Sequence, residues 1–257
     1  MRILFIGDIC GRPGRSALKE LLPEMRRNDG SFDFVVVNCE NAAAGFGMTE
    51  RLMDELFALG IDAMTSGNHI WDKKEFVPVL DREPRVLRPA NYPPGAPGSG
   101  YCVIERNGRK LGILNLQGRA FMSPIDCPFR VADAILSDAK EIAIMVDFHA
   151  EATAEKVALG RYLDGRVSLF VGTHTHVQTA DESILTGGTA YITDVGMTGG
   201  HGGIIGNSYD SVLPKFLLGV PTKFEIEDTD PKVEGVIADV DDETGRALAI
   251  RRVSVSP

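Results

Sequence analysis

Five short apolar runs, each giving way to a polar residue, constrain this chain more than any other feature. They are Arg2–Gly7 (RILFIG), Phe34–Asn38 (FVVVN), Asp62–Thr65 (DAMT), Ile142–Asp147 (IAIMVD) and Val167–Val171 (VSLFV). Runs this short and continuous read as strands buried on both faces. Amphipathic helical patterns separate them. One spans about Gly14 to Arg27, with Ala17, Leu18, Leu21, Leu22 and Met25 on one stripe and Pro13 near its start, where a missing N–H costs little. A second is capped by Thr49 and runs to about Leu59, with Leu52, Met53, Leu56 and Phe57 inward and Gly60 as its stop. A third covers about Ala152–Leu163. Strands alternating with helices predict a layered α/β fold.

Other segments read differently. Asn91–Gly100, rich in Pro and Gly, is a surface loop, and Asn107-Gly108 joins two strand-like runs, Tyr101–Arg106 and Lys110–Leu116, in a hairpin. Glu225–Ile226, Gly235–Val240 and Ala247–Val255 resemble antiparallel strands, with a turn at Asp241–Gly245, and are expected to extend or close a second sheet. The predicted architecture is one domain over residues 1–257, a two-sheet β-sandwich flanked by helices.

Composition narrows the function classes. The formal charge of −9 argues against a general nucleic-acid-binding face, which needs clustered Lys and Arg. It leaves room for a small anionic substrate, because bound cations reverse the local field. No apolar stretch approaches the roughly 20 residues of a membrane span. Asp8 arrives too soon for a signal-peptide core, so a cytoplasmic location is expected. Cys10, Cys39, Cys102 and Cys127 lack paired spacing and read as free thiols.

The residues just past each buried run are informative. The first run leads into Asp8, the second into Glu40-Asn41, the third through Ser66-Gly67 into Asn68-His69, and the last two into His149 and His174-Thr175-His176. Ligands bind at the carboxyl edge of α/β sheets, where loops bring distant residues together. Any one of these residues alone reads as a cap, a turn or a buried polar side chain. Of five histidines, however, four fall at strand ends rather than in helical stripes. Carboxylate, carboxamide and imidazole without thiolate suit Mn, Fe or Zn ions in sites of five or six ligands. Glu40 can bridge two such ions about 3.5–4 Å apart. Two divalent ions with Asp8 and Glu40 leave a small positive remainder, which suits a singly charged phosphodiester and a hydroxide at neutral pH.

Gly7-Asp8, Gly67-Asn68-His69, His149 and Gly172–His176 resemble the motif series of calcineurin-like metallophosphoesterases. Asn38–Gly47 (NCENAAAGFG), Gly67–Asp72 (GNHIWD), Asn115–Asp126 (NLQGRAFMSPID), Phe148–Lys156 (FHAEATAEK), Gly172–Asp181 (GTHTHVQTAD) and Asp194–Gly199 (DVGMTG) resemble its bacterial YmdB-like branch, associated with cyclic-nucleotide hydrolysis. The resemblance implies that Asp8, Asn41 and His176 hold one ion, that Asn68, His149 and His174 hold the other, and that Glu40 bridges them. It also implies His69 as general acid, and the expected mechanism has it protonate the departing ribose oxygen while a metal-bridging hydroxide attacks phosphorus. The broader superfamily has Asp-x-His at the first motif, whereas here position 10 is cysteine.

The expected function is therefore a dinuclear-metal phosphodiesterase on 2′,3′- or 3′,5′-cyclic nucleotides. A phosphomonoesterase or nucleotidase on the same core is an alternative, as is a metal-binding regulatory protein with vestigial catalysis. Arg119, His201 and the glycine-rich Asp194–Asn207 are candidate substrate contacts. A homo-oligomer built through the strand-rich C-terminus stays open.

Overall fold

The computed structural model describes residues 1–257. In chain order the elements are β1 (Arg2–Ile6), β2 (Asp8–Ile9), α1 (Gly11–Asn28), β3 (Phe34–Asn38), α2 (Glu50–Ala58), β4 (Ala63–Thr65), α3 (Val77–Leu80), β5 (Tyr101–Arg106), β6 (Arg109–Gln117) and α4 (Pro128–Asp138). They continue with β7 (Ala143–His149), α5 (Thr153–Tyr162), β8 (Leu169–Thr173), β9 (Ser183–Ile184), β10 (Ala190–Ile192), β11 (Met197–Gly200), α6 (Tyr209–Leu218), β12 (Pro231–Val240) and β13 (Ala247–Val255).

The strands form two sheets. One has the order β2-β11-β12-β1-β3-β4, with β13 also paired to β12; the other has the order β5-β6-β7-β8-β10-β9. The period-two alternation of each strand sorts its side chains into layers. Ile3, Phe5, Phe34 and Val36 of the first sheet meet Leu111, Ile113, Met145, Leu169 and Val171 of the second in a core between the sheets. Leu4, Ile6, Val35 and Val37 point the other way, onto Leu18, Leu22, Leu52 and Leu56 of α1 and α2. Leu114, Leu116, Val146, Phe148 and Phe170 meet Ala132 and Leu159 of α4 and α5. The layers are helix, sheet, sheet, helix, as the sequence predicts. Each fully buried Leu, Ile or Phe contributes roughly 1.5–3 kcal/mol.

Thr49 caps α2 through its hydroxyl, which accepts from the Leu52 amide at 3.4 Å. Some expectations need correction. The C-terminal strands join the first sheet rather than a second one, because β12 pairs antiparallel with β1 from Arg2↔Asp239 to Ile6↔Gly235. Glu225–Ile226 makes no strand, only a bridge between Ile226 and Asn207. Within the glycine-rich segment, Met197–Gly200 is strand β11, paired with β2 and β12. Helices α4 and α6 lie where no helix is expected; Pro214 inside α6 masks its pattern. No helix is long and apolar enough to cross a membrane.

Candidate metal centre

The inter-sheet layer changes character along its length. It is apolar up to Val36, Ile113, Met145 and Val171, and the next inward positions are Asn38, Asn115, Asp147 and Thr173, all buried. Asp147 joins the two sheets. Its Oδ2 accepts from Asn38 Nδ2 at 3.0 Å and Thr65 Oγ1 at 2.5 Å, and its Oδ1 accepts from Thr173 Oγ1 at 2.8 Å. Burial pushes its carboxyl up to about 7 despite these donors. One step further out come Glu40 and His149. β7 extends two residues beyond its expected end, so His149 sits on the strand itself.

Several of the expected ligands come together here. Glu40, His149 and His174 each offer a donor atom, all within 4.8 Å of one another. His149 Nε2 lies 3.0 Å from Glu40 Oε1 and 3.0 Å from His174 Nδ1. His176 Nε2 is 3.2 Å from the Asn41 carboxamide nitrogen and 4.0 Å from Asp8 Oδ1. Rotating that carboxamide by half a turn presents its oxygen instead. Gly67 precedes Asn68 and packs so closely that a Cβ there would overlap the His149 ring and Glu40 Oε2.

Each imidazole is held from behind. His149 Nδ1 lies 2.9 Å from Thr173 Oγ1, whose own proton goes to Asp147. His174 Nε2 is 3.2 Å from Glu151 Oε2, and His176 Nδ1 is 3.0 Å from the Ile205 carbonyl. Outer acceptors of this kind take the remote N–H and fix the tautomer. The inner nitrogens then turn lone pairs towards one another and towards Glu40, a repulsive arrangement that a cation relieves.

Other observations fit the same group. Asp8 Oδ1 and Asn68 Oδ1 are buried with no hydrogen-bond partner. Such orphaned acceptors cost about 1–3 kcal/mol each unless something positive meets them. Burial pushes the Asp8 carboxyl up, while Glu40, opposed by burial but drawn down by His149 and the His69 amide, is held at about 2. Burial, with His149 adding to it, pushes His174 down to about 3, so it stays neutral and able to coordinate. Burial opposes the proton on His149, yet Glu40 and Asp8 outweigh it and raise the ring. The donor set therefore fits metal ions.

His174 and His176 have left-handed backbones, φ 96° and 65°, which is how an i, i+2 pair faces different partners. The turn is pinned from below. Asp194 Oδ2 accepts from the Thr175 amide at 3.2 Å and hydroxyl at 2.6 Å, and pairs with Lys156 Nζ at 2.7 Å. The His174 amide donates to Asp8 Oδ2 at 3.2 Å.

His69 stands beside the cluster. Its amide donates to Glu40 Oε2 at 3.1 Å, its Nδ1 lies 2.8 Å from Asp72 Oδ2, and Phe46 meets its ring edge-on at 4.9 Å. Cys10 is buried with its sulfur 3.8 Å from His176 Nδ1, and it lines the cleft. Two candidate substrate contacts are placed elsewhere. The Arg119 guanidinium turns to Cys127, and His201 lies between the Gly199 carbonyl and Glu234. Sequence reasoning missed Thr173, Asp147, Glu151 and Asp72 as supports; only Asp72, three residues after His69, carried a local signal.

The family model described as a YmdB-like protein matches residues 4–253. The chain belongs to the YmdB-like family. It is 48% identical over 258 residues to a "2′,3′-cyclic-nucleotide 2′-phosphodiesterase" of Bacillus subtilis (strain 168), covering 100% of this chain and 97% of that one. Among solved structures it resembles a novel phosphatase from Mycoplasma pneumoniae, with TM-score 0.95 and 33% identity over 100% of this chain and 93% of the other. A hypothetical protein from Thermus thermophilus matches with TM-score 0.94 and 43% identity over 100% and 99% of the two chains. A 5′-nucleotidase precursor from the same organism, at TM-score 0.56 and 14% identity, shares the fold; the match covers 100% of this chain and 54% of that one. The two sheets flanked by helices are thus the metallophosphoesterase fold.

Proposed function

We propose that this YmdB-like chain is a metal-dependent phosphoric diester hydrolase acting on 2′,3′-cyclic nucleotides. The observation that carries the reading is the meeting of Glu40, His149 and His174, with Glu40 and His174 lining a cleft that holds no lysine or arginine. A phosphomonoester dianion calls for extra fixed cations; a monoanionic diester does not. The relative's printed activity supports the same choice.

Asp8, Asn41 and His176 would hold one metal ion, Asn68, His149 and His174 a second, with Glu40 shared. When bound, such a pair supplies neutralising charge at the phosphoryl oxygens and an acidified water as nucleophile. Iron or manganese suits the mixed oxygen and nitrogen donors, with zinc as an alternative. The protein's own residues do the rest. Thr173, Glu151 and the Ile205 carbonyl keep three imidazoles aimed inward. His69, with Nδ1–H bound to Asp72, gives its Nε2 proton to the departing ribose oxygen. Water adds to phosphorus, the P–O2′ bond breaks, and the nucleoside 3′-phosphate forms.

The test is a metal-depleted and reloaded sample assayed on 2′,3′-cyclic AMP, 3′,5′-cyclic AMP, a bis-aryl phosphate and an aryl monophosphate. The reading expects metal-dependent cleavage of the diesters with 2′,3′-cyclic AMP foremost. Preference for the monoester, or nucleotide bound and recovered intact after incubation with metal, would overturn it.

A further inference from the structure

The cleft has a second half whose side chains the chemistry above does not use. Beyond Glu40, Asn41, His69, His174 and His176, the same cavity of about 180 Å³ is lined by Phe46, Ile205, Asn207, Phe224 and Ile226. Phe46 is 40% exposed and Ile205 48% exposed, so both present apolar surface at the cleft. We propose that Phe46, Phe224, Ile205 and Asn207 form a nucleobase subsite, which rests on the reading of the cleft as a cyclic-nucleotide site.

Three features support it. The apolar residues are held in place rather than loose. Lys215 Nζ covers one face of Phe224 at 5.1 Å from the ring centre, and the Ile205 carbonyl takes the bond from His176 Nδ1. Gly45, at φ 91°, abuts Ile226 closely enough that a Cβ would meet its Cδ1 at 2.5 Å, joining the loop of Phe46 to the segment of Phe224. Next, flat aromatic faces beside a carboxamide are what a base needs: the rings stack on any base, and an amide offers both donor and acceptor to its edge. Finally, Phe46 touches His69, the proposed proton donor. In a 2′,3′-cyclic nucleotide the O2′ leaving group and the base are carried by adjacent ribose carbons. A stacking surface adjoining the acid therefore suits that isomer, whereas the 3′,5′ isomer carries its phosphate away from the base.

Stacking recognises a base without reading which base it is. Selectivity among the four bases is thus expected to be weak, within about threefold, while dependence on having a base is strong, about tenfold or more in kcat/KM. The test compares 2′,3′-cyclic AMP with methyl β-ribofuranoside 2′,3′-cyclic phosphate, which lacks the base. In the unaltered protein the ratio of their kcat/KM values should be at least about ten. It should fall towards one in Phe224→Ala, chiefly through KM for the nucleotide, and should be retained in Phe224→Tyr. A ratio near one in the unaltered protein, or a ratio that Phe224→Ala leaves unchanged, overturns the subsite. If neither compound is hydrolysed, the proposed activity fails, and calorimetric binding of adenosine, which has no phosphate, decides the subsite. Binding weakened at least about fivefold by Phe224→Ala supports it, and no binding to the unaltered protein refutes it.

Discussion

Replacing Lys156 with Met isolates the device under the histidine turn. Lys156 is 1% exposed, Asp194 is fully buried, and their Nζ–Oδ2 distance is 2.7 Å. Met fills the same channel with an apolar stem and leaves Asp194 facing it without a counter-ion. Removing one partner of a buried pair costs about 3–5 kcal/mol. Asp194 keeps the Thr175 amide and hydroxyl and the Gly196 amide, at 3.2, 2.6 and 2.9 Å, so the lower end applies, about 3 kcal/mol. For a chain of this size that corresponds to a melting point lower by roughly 6–12 °C. Urea and thermal melts by circular dichroism read the loss directly. The turn it supports holds two residues at positive φ, each costing about 1–3 kcal/mol that the surroundings must hold in place. Metal affinity should therefore fall about 10–100-fold, the usual effect of losing an outer support. Lys156→Met with Asp194→Leu should recover part of the stability but none of the affinity. A Lys156→Met protein that melts within about 2 °C of its parent and binds metal equally well would refute the argument.

The same geometry predicts the outcome of other perturbations. His69→Ala should retain bound metal by elemental analysis and lose far more activity on ribose leaving groups, which need a proton, than on nitrophenolate, which does not; equal losses would count against a proton donor. Gly67→Ala drives a Cβ into the His149 ring and Glu40, so metal content and activity should collapse together while the far-UV spectrum persists. Chelation should abolish hydrolysis and lower the melting point, and added metal should restore both, since a ligand bound only by the native state stabilises it by mass action; a melting point indifferent to chelator would argue against a tightly held ion. Thr173→Val breaks the link from His149 to Asp147 and should weaken metal binding by about 10–100-fold with little change in KM.

Much of the site is legible in the sequence because strands deliver it. A run such as Phe34–Asn38 announces both its burial and its direction, so the residues after it fall on the carboxyl edge. The supports are not legible by that route. Asp147 looks like the polar end of one apolar run until the sheet of β3 and β4 packs over the sheet of β7 and β8 and brings Asn38 and Thr65 from across, and Thr173 from beside, to it. Glu151 looks like a surface carboxylate, and nothing local says that the ring of His174 leans on it. Phe46 and Phe224 come from distant segments and meet only in the folded cleft. Helix α6 is hidden by Pro214 and by apolar residues that point outward, including Phe216, Leu217 and Leu218. The destination of β12 and β13 is a question of topology, which hydrophobic pattern does not encode.

That destination has a kinetic consequence. β1, which leads into Asp8, lies between β3 and β12, and Ile3 faces Ala238 from the opposite end of the chain. As the polypeptide leaves a ribosome, β1 can acquire its β3 neighbour early, but its other edge waits until residues beyond Pro231 have emerged. A loop that long closes slowly, and until it does an apolar edge stays open to wrong partners. Maturation of the metal site is thereby tied to completion of the sheet: Asp8 acquires its final surroundings only when the last strands arrive.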